Sequence, residues 1–586
     1  MYKLSINYLL FILFALCFGA CSDTEEPEIP ADADENFITA FTLTRDGKTY
    51  EAKIDENKIT ISVPYTVNLE NAVTAVVYTP SATILPDPAT ITEWDNEQIF
   101  RVTSYNGDTK EYTYRAVKEE VVEEGDVELK TAAEITAFAK AATSVIKGNL
   151  VIGTDDGEEI TSIEGLSRLK QVSGNLILKN SFKVTDLTGL DNVTTLGGLI
   201  VGTTEVVSTA ELNLVTMKSL TEITGDVLIR NNSLKWMKLD ALKKIGGTVT
   251  VASTAIESLE LPVLTEISGG FDICGITEIT LDQYKNVVMG GAVTTLAFPE
   301  LTKVGGIVNI NYLATLTSVS FRKLATAGGI EIQTLNHLFD TIDLSALTTV
   351  EKSLKLASVR TAGKFASDQA NNKTLKTLGN LSHLQTVGDS LKIDKFSGMT
   401  TLPTFSSLKT VRVFYLGYAE SAENNLDLSG VTFPENGAIV FNQFCSVPSI
   451  IGKGDMPGDM IISTQAQKSS APNIKGFTSV KNLLITMNPG TSFDKTATMT
   501  YEFERITGNV EVNYRLPSNG NFKNTIAFPS LKEVGGNFAL PQIIGKLDKL
   551  SLPVLETIGG KLTLKTRITT QEMPNLKSVD GQPWES

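Results

Sequence analysis

Residues 242–251 read LKKIGGTVTV. A glycine pair ahead of a β-branched run has three physical readings. A phosphate-cradling loop needs its glycines to open a helix N-terminus. A hairpin needs a second alternating run paired directly across the turn. A solenoid needs the same letters to return at a fixed spacing. The chain decides for the third. LKQVSGNLIL stands at 169–178, LTEITGDVLI at 220–229, LTEISGGFDI at 264–273 and LTKVGGIVNI at 301–310. LTTVEKSLKL (347–356), LQTVGDSLKI (384–393), LKEVGGNFAL (531–540) and LETIGGKLTL (555–564) continue the series, with the shortened VTTLGGLIV and LATAGGIEI between them. Successive starts lie mostly 21 to 28 residues apart, with two gaps of 37. A second element recurs between copies: SLELPVL, TLAFPEL, SVSFRKL, TIDLSAL, TIAFPSL and KLSLPVL.

One coil follows from these letters. Leu242, Ile245, Val249 and Val251 are expected to point inward, and Thr248, Thr250 and Ala252 outward, with the period of two that a strand imposes. Gly247 marks the turn into the strand, where positive φ or close backbone approach suits only glycine. The second element supplies another short strand, ended by proline. Stacked at about 4.8 Å, roughly 18 such coils from residue 146 onward would form a rod on the order of 85 Å. The L-x-x-I-x-G-x-L-x-I pattern with its second short strand resembles the receptor L-domain family, itself similar to leucine-rich repeats. The resemblance covers about 146–583 and implies parallel strands joined by irregular turns. The copies drift between 411 and 500, where 446–500 could be degenerate coils or an insert.

The rest of the 586-residue chain is organised around this array. Hydrophobic residues make up 42%, charged residues 20% and aromatics 7%, a globular composition. A net charge of −16 without a basic block argues against nucleic-acid partners. Lys3 precedes an apolar run from Tyr8 to Phe18, followed by Gly19-Ala20-Cys21. That run is short for a spanning helix. Small residues before a cysteine resemble a bacterial lipobox, which implies removal of residues 1–20 as a signal peptide and lipid attachment at Cys21. A plain secreted protein and an uncleaved anchor are the alternatives. Phe18 departs from the leucine usual at its position. Residues 21–36 read as an acidic tether, since seven carboxylates without a base oppose collapse. Acidic residues just after a lipidated cysteine also resemble the surface-export signal of Bacteroidetes outer-membrane lipoproteins.

Residues 37–117 read as short strands, with hairpin turns at Asp46-Gly47 and Asn106-Gly107. They suggest a small β-sandwich and resemble the immunoglobulin-like amino-terminal modules of Bacteroidetes surface lipoproteins. Residues 118–145 read as an acidic linker, KEEVVEEGDVELK, and a capping helix in which Thr131 and Glu134 have capping-box spacing. The helix would cover the open end of the first coil. The expected fold class is therefore all-β: a small sandwich, then a long parallel solenoid over 146–586.

Chemistry is sparse. The only histidines are His337 and His383, both read as turn residues, and no CxxC or HExxH occurs. Cys274 and Cys445 are expected as buried free thiols. A β-helix carbohydrate enzyme would need carboxylates or bases converging from neighbouring coils. The middle outward position of the clear copies (among them Thr250, Asp272, Asn309, Lys355, Lys392 and Glu511) shows no such stack. No catalytic residue, metal or cofactor is expected. The stretch VRVFYLGYAE at 411–420 breaks the pattern: at least one of Phe414 and Tyr415 must face outward, with Tyr418 nearby and Phe441 and Phe444 following. Phe414, Tyr415 and Tyr418 are the candidate ligand-binding residues, because outward aromatics on a rigid sheet stack on sugar rings or anchor proteins. The alternative is that degenerate coils refill their core with larger side chains. The expected function is recognition or adhesion at a bacterial outer membrane, facing outward, through a protein or glycan ligand. A glycan-binding accessory of a polysaccharide-uptake system is the first alternative, and a divergent carbohydrate enzyme the second.

Overall fold

The computed structural model describes residues 28–278, 290–334, 339–358, 374–419, 422–442, 445, 447–464, 472–488, 494–515, 523–544, 546–565 and 567–585. The chain divides into two units, one ending at Glu120 and one starting at Val121.

The first unit is a seven-stranded sheet. Ile38–Arg45 and Lys48–Asp55 are joined by Asp46 and Gly47, both at positive φ, as an Asp-Gly hairpin requires. The second strand pairs with the first through Lys48–Glu51 and with Lys58–Pro64 through Ala52–Asp55. It thereby carries the chain from one half of the sheet to the other. The halves close on an aromatic core: Phe41 of the first strand lies 5.4 Å from Tyr114 of the last and 5.5 Å, edge-on, from Trp94. The Tyr114 hydroxyl donates to the Trp94 carbonyl at 2.8 Å, which leaves that buried oxygen paired. The carboxy-terminal part of the acidic stretch is ordered against this unit. Ala33 is buried, the Ser81 hydroxyl donates to the Asp32 carbonyl at 3.0 Å, and Asn106 N–H donates to the Ala33 carbonyl at 3.0 Å. A solvated tether was expected through residue 36. The backbone of residues 30–36 finds partners in two loops, so charge alone does not keep it free.

The second unit is a parallel solenoid whose main sheet holds 31 strands. Most coils contribute two of them, a two-residue strand before the glycines and a longer one after. In the opening stretch these are Lys244–Ile245 and Val249–Ala252, paired in parallel with Glu222–Ile223 and Val227–Arg230 before them. Leu242, Ile245, Val249 and Val251 are fully buried, as the period of two requires. Ala252 is buried as well, against expectation. The Arg230 guanidinium reaches across it from the preceding coil to the carbonyl of Thr277 in the following one.

The glycines are architectural, for a more specific reason than turn formation. A Cβ on Gly247 would lie 2.5 Å from the carbonyl carbon of Gly225, one on Gly225 2.5 Å from the Gly197 oxygen, and one on Gly269 2.7 Å from the Gly247 oxygen. Successive coils therefore touch backbone to backbone along a glycine spine. Close approach, not φ, selects the residue, since neither Gly246 nor Gly247 has positive φ. Beside the spine runs a ladder of amide and carboxylate acceptors. Thr248 N–H donates to Asp226 Oδ1 at 2.7 Å, Asn537 N–H to Asn509 Oδ1 at 2.9 Å, and Lys561 N–H to Asn537 Oδ1 at 2.8 Å. The residue after the glycines thus supplies an acceptor to the next coil where the backbone ladder is interrupted.

The solenoid begins earlier than expected. Val122–Glu123 and Val127–Leu129 pair in parallel with Val145–Ile146 and Leu150–Ile152. KEEVVEEGDVELK is therefore no linker: Leu129 is buried and Val127 packs on the core, while the alternate carboxylates stay exposed. The helix Ala132–Ala141 has both capping-box bonds, with Thr131 Oγ1 accepting from Glu134 N–H and Glu134 Oε2 from Thr131 N–H. Ile135 packs inward against Gly165 of the next coil. At the drifting end, Ser449–Thr464 and Asn473–Met487 are long strands paired in parallel with each other and with the coils on either side. Among the described residues, 446–500 continues the stack.

Candidate functional site

The outward middle residue of every coil lies in register with the next, from Glu128 to Thr563. The ladder is not uniform. Val151, Ile177, Ile200 and Leu228 give it an apolar start. Asp272, Asn309, Glu331, Lys355 and Lys392 form a polar centre. Tyr415 follows, then Val440, Ile461 and Leu484, all half-buried. Tyr415 stands where the polar centre gives way to an apolar strip.

Its ring is held on several sides. A Cβ built on Gly417, two residues along the same strand, would lie 3.1 Å from Tyr415 Cε1 and 2.3 Å from Asp394 Oδ1. The bare glycine therefore lets the ring lean along the sheet and the carboxylate of the preceding coil sit beside it. Asn442 Nδ2, from the following coil, donates to the Tyr415 hydroxyl at 2.8 Å. Lys392 Nζ lies 4.7 Å from the ring centroid and 3.3 Å from Asp394 Oδ2. Asp394 is 6% exposed, and its Oδ1 has no hydrogen-bond partner among the described residues. Burial raises the Tyr415 pKa, so the phenol stays protonated at neutral pH.

The cations around it are compensated. Lys355 Nζ is 3.7 Å from Glu331, and Arg412 Nε donates to Asp389 Oδ1 at 2.6 Å. Asp389 also accepts from the Ser353 hydroxyl at 3.0 Å, and Ser353 Oγ is bonded to Ser390 Oγ at 2.9 Å. Arg412 first, and the serines after it, hold the Asp389 carboxyl below the ordinary range. A depression of about 320 Å³ opens here, lined by Ile307, Glu331, Ser353, Lys355 and Asp389.

The other sequence candidates separate cleanly. Phe414 is not a surface residue. It alternates inward between Leu391 and Ile439 of the flanking coils, is 1% exposed, and meets Phe405 edge-on at 5.4 Å. Phe441 is buried in the same stack. The core-refilling reading thus holds for Phe414 and Phe441 and not for Tyr415. Tyr418 is half-buried at a turn leaving the sheet, with φ 55°, a conformation shared by Tyr312 and Lys395 at the same place in other coils. Cys21, His337 and Phe444 lie outside the described residues. His383 Nδ1 bonds the Ser345 carbonyl at 3.0 Å, as a turn residue does. Asp272 accepts from Asn309 Nδ2 at 3.0 Å, and burial pushes its pKa up. Glu511 accepts from Asn513 Nδ2 at 2.7 Å. Cys274 and Cys445 are free, their thiols pushed up to about 11 and about 12 by burial, so neither is a thiolate at neutral pH. Among the described residues, no three His, Cys, Asp or Glu side chains are grouped to hold a metal ion.

Glu331, Asp394, Asn442 and Gly417 were absent from the sequence candidates. Glu331 sits in the shortened copy LATAGGIEI and is reached only once that copy is placed in register. The other three lie at the outward position two residues beyond the one read along the repeats.

Residues 38–116 match the family described as SGBP, N-terminal, the amino-terminal region of surface glycan-binding proteins. No curated protein matches the chain. Among solved structures, it is similar to one from Bacteroides thetaiotaomicron described as a "putative glycoside hydrolase", at 25% identity and a TM-score of 0.14, over 17% of this chain and 28% of that one. The chain thus spans under a third of the length of that structure. Residues 38–116 are thus similar to the amino-terminal region of surface glycan-binding proteins, and the structure places a long parallel β-solenoid after them in the chain.

Proposed function

We propose that this protein is a lipid-anchored surface glycan-binding protein of a polysaccharide-uptake system, and that its solenoid binds a neutral polysaccharide along the outward ladder at Tyr415. In this reading Cys21 carries the lipid at the outer membrane, the immunoglobulin-like module follows it, and the leucine-rich-repeat-like array presents a stiff surface outside the cell. Binding occurs without turnover. The amino-terminal match supports the class of ligand, and the seating of Tyr415 is the observation that carries the site. A tyrosine ring leaning over a bare glycine offers an apolar surface to the C–H face of a pyranose. Lys392 and Asn442 supply a donor and an amide beside the ring for the sugar hydroxyls, and the buried Asp394 holds the Lys392 ammonium in place. Val440, Ile461 and Leu484 extend the strip for further sugar units.

Neutrality of the ligand follows from the ion pairs. Lys355, Lys392 and Arg412 each already face a carboxylate, so a polyuronate or sulfated chain would meet no uncompensated cation and an overall acidic protein. The test is affinity electrophoresis of the full chain through gels containing neutral β-glucan, mannan, xylan or arabinan, with polygalacturonate as the charged comparison. A neutral polymer should retard the protein, and Tyr415→Ala should weaken that retention about 30-fold, the size of a hot-spot loss of about 2 kcal/mol. Retention should persist from about 0.1 M to about 1 M salt, which shortens the screening length from roughly 10 to 3 Å. Salt-sensitive capture of the uronate alone would contradict the reading. So would release of reducing ends during incubation.

A further inference from the structure

We infer that the carboxy-terminal coils carry a second carbohydrate site, for an uncharged sugar stacked on Trp584. A cleft of about 600 Å³ opens there, lined by Lys549, Thr570, Gln571, Glu572, Met573 and Trp584. It lies on a separate four-stranded sheet of the solenoid, where Leu547–Ser551 and Ile568–Glu572 pair with Lys549 opposite Thr570 and Ser551 opposite Glu572. That is a different sheet from the one bearing Tyr415, and the two sites are about six coils, or ~29 Å of rise, apart along the stack.

The aromatic wall is preorganised. Ser578–Val579 pairs antiparallel with Gln582–Pro583 across Asp580 and Gly581, both at positive φ, as in an Asp-Gly hairpin. Trp584 is the next residue, and its N–H donates to the Lys577 carbonyl at 2.8 Å. A large aromatic left 36% exposed on so short a tether loses little conformational entropy when a ligand stacks on it. Trp236, the other exposed indole, differs: it stands on the middle strand of a separate three-stranded sheet, between Leu214–Thr216 and Ser258–Glu260, and does not line this cleft.

The polar wall gives the chemical class. Lys549 and Glu572 are 2.8 Å apart, and Glu572 also accepts from the Ser551 hydroxyl, so the one cation and the one carboxylate neutralise each other. An ionic ligand would have to break that pair. The Thr570 hydroxyl, the Gln571 amide and the Trp584 indole N–H have no partner among the described residues. An indole face beside three free, uncharged hydrogen-bonding groups and a compensated ion pair suits a molecule with one apolar face and a rim of hydroxyls. A sugar ring has that form. An apolar peptide would leave the three groups unpaired on burial.

The experiment uses the full chain and a panel of neutral oligosaccharides cut from the polymers named above. Binding is followed by tryptophan emission in the wild type, Trp584→Phe, Trp584→Ala, Trp236→Phe and Tyr415→Ala. A sugar that binds the cleft should shift the emission in the wild type, Trp236→Phe and Tyr415→Ala, and leave Trp584→Phe silent. By calorimetry, Trp584→Phe should retain most of the affinity at this site and Trp584→Ala should lose at least tenfold, with unchanged circular dichroism showing the hairpin still folded. An unshifted wild-type emission with a sugar that Tyr415→Ala fails to bind would overturn this site while sparing the Tyr415 surface. A shift that survives in Trp584→Phe would overturn it too. If no member of the panel binds the chain, both sites fall.

Discussion

Gly388→Ala should cost about 3 kcal/mol of stability, near the upper end for forcing a methyl group into a close-packed interior. The Cβ would stand 1.9 Å from the Glu351 carbonyl oxygen of the preceding coil, a backbone atom with no rotamer to escape into. Gly388 N–H also donates to the Val350 carbonyl at 3.0 Å, so a shift that relieves the clash lengthens a ladder bond. Gly430→Ala is the control, because its Cβ meets only the Leu408 carbonyl oxygen, at 3.4 Å, and should change stability by no more than about 0.5 kcal/mol. Urea unfolding compares them. In a stack where each coil touches only its neighbours, the loss should open the coils around 351–393 before the rest. Hydrogen exchange should find faster amides there and not at the ends. Equal midpoints for the two variants would show that the glycines are not a spine.

Phe414→Ala should destabilise by about 3–5 kcal/mol, the range for removing a buried phenylalanine, whereas Tyr415→Ala should cost far less and instead weaken ligand capture by the roughly 30-fold given above. The two residues are neighbours in sequence and opposite in fate because alternation sends one ring between Leu391 and Ile439 and the other over Gly417. Phe414→Leu should recover most of the stability, since a leucine at that rung has aliphatic neighbours on both sides. Below its melting transition, Phe414→Ala should still bind the polysaccharide that Tyr415→Ala releases. Thermal unfolding and gel retention of the same two proteins separate the effects, and a Tyr415→Ala protein that melts early but binds normally would reverse the assignment.

Much of this was legible in the letters. The inward set of LKKIGGTVTV, the second strand in SLELPVL and the Asp46-Gly47 hairpin each follow from one local rule, and each appears where that rule puts it. What failed needed neighbours that the repeat pattern does not name. Ala252 has the period of an outward residue, and only the reach of Arg230 across the coil buries it. KEEVVEEGDVELK has the charge of a linker, yet its Val127 and Leu129 keep the alternation of a rung. The candidate site was half visible. VRVFYLGY required one aromatic to face out, but choosing Tyr415 needs its register against Lys392, and the copies lose their glycine marker in that region. Gly417 reads as a stray glycine in a strand until the ring and carboxylate beside it are known. Trp584 has an Asp-Gly turn before it as a local signal, but that turn follows the last copy of the repeat and so lies outside the pattern that marks the coils.

Hydroxyl-radical footprinting of the full chain, with and without the neutral polysaccharide that retards it, tests the central claim most directly. Protection at Tyr415 and along Val440, Ile461 and Leu484, with Trp236 on the Leu214–Thr216 sheet unchanged, is the expected result. Protection confined to the amino-terminal unit before Glu120, with Tyr415 oxidised at the same rate in both samples, would contradict it.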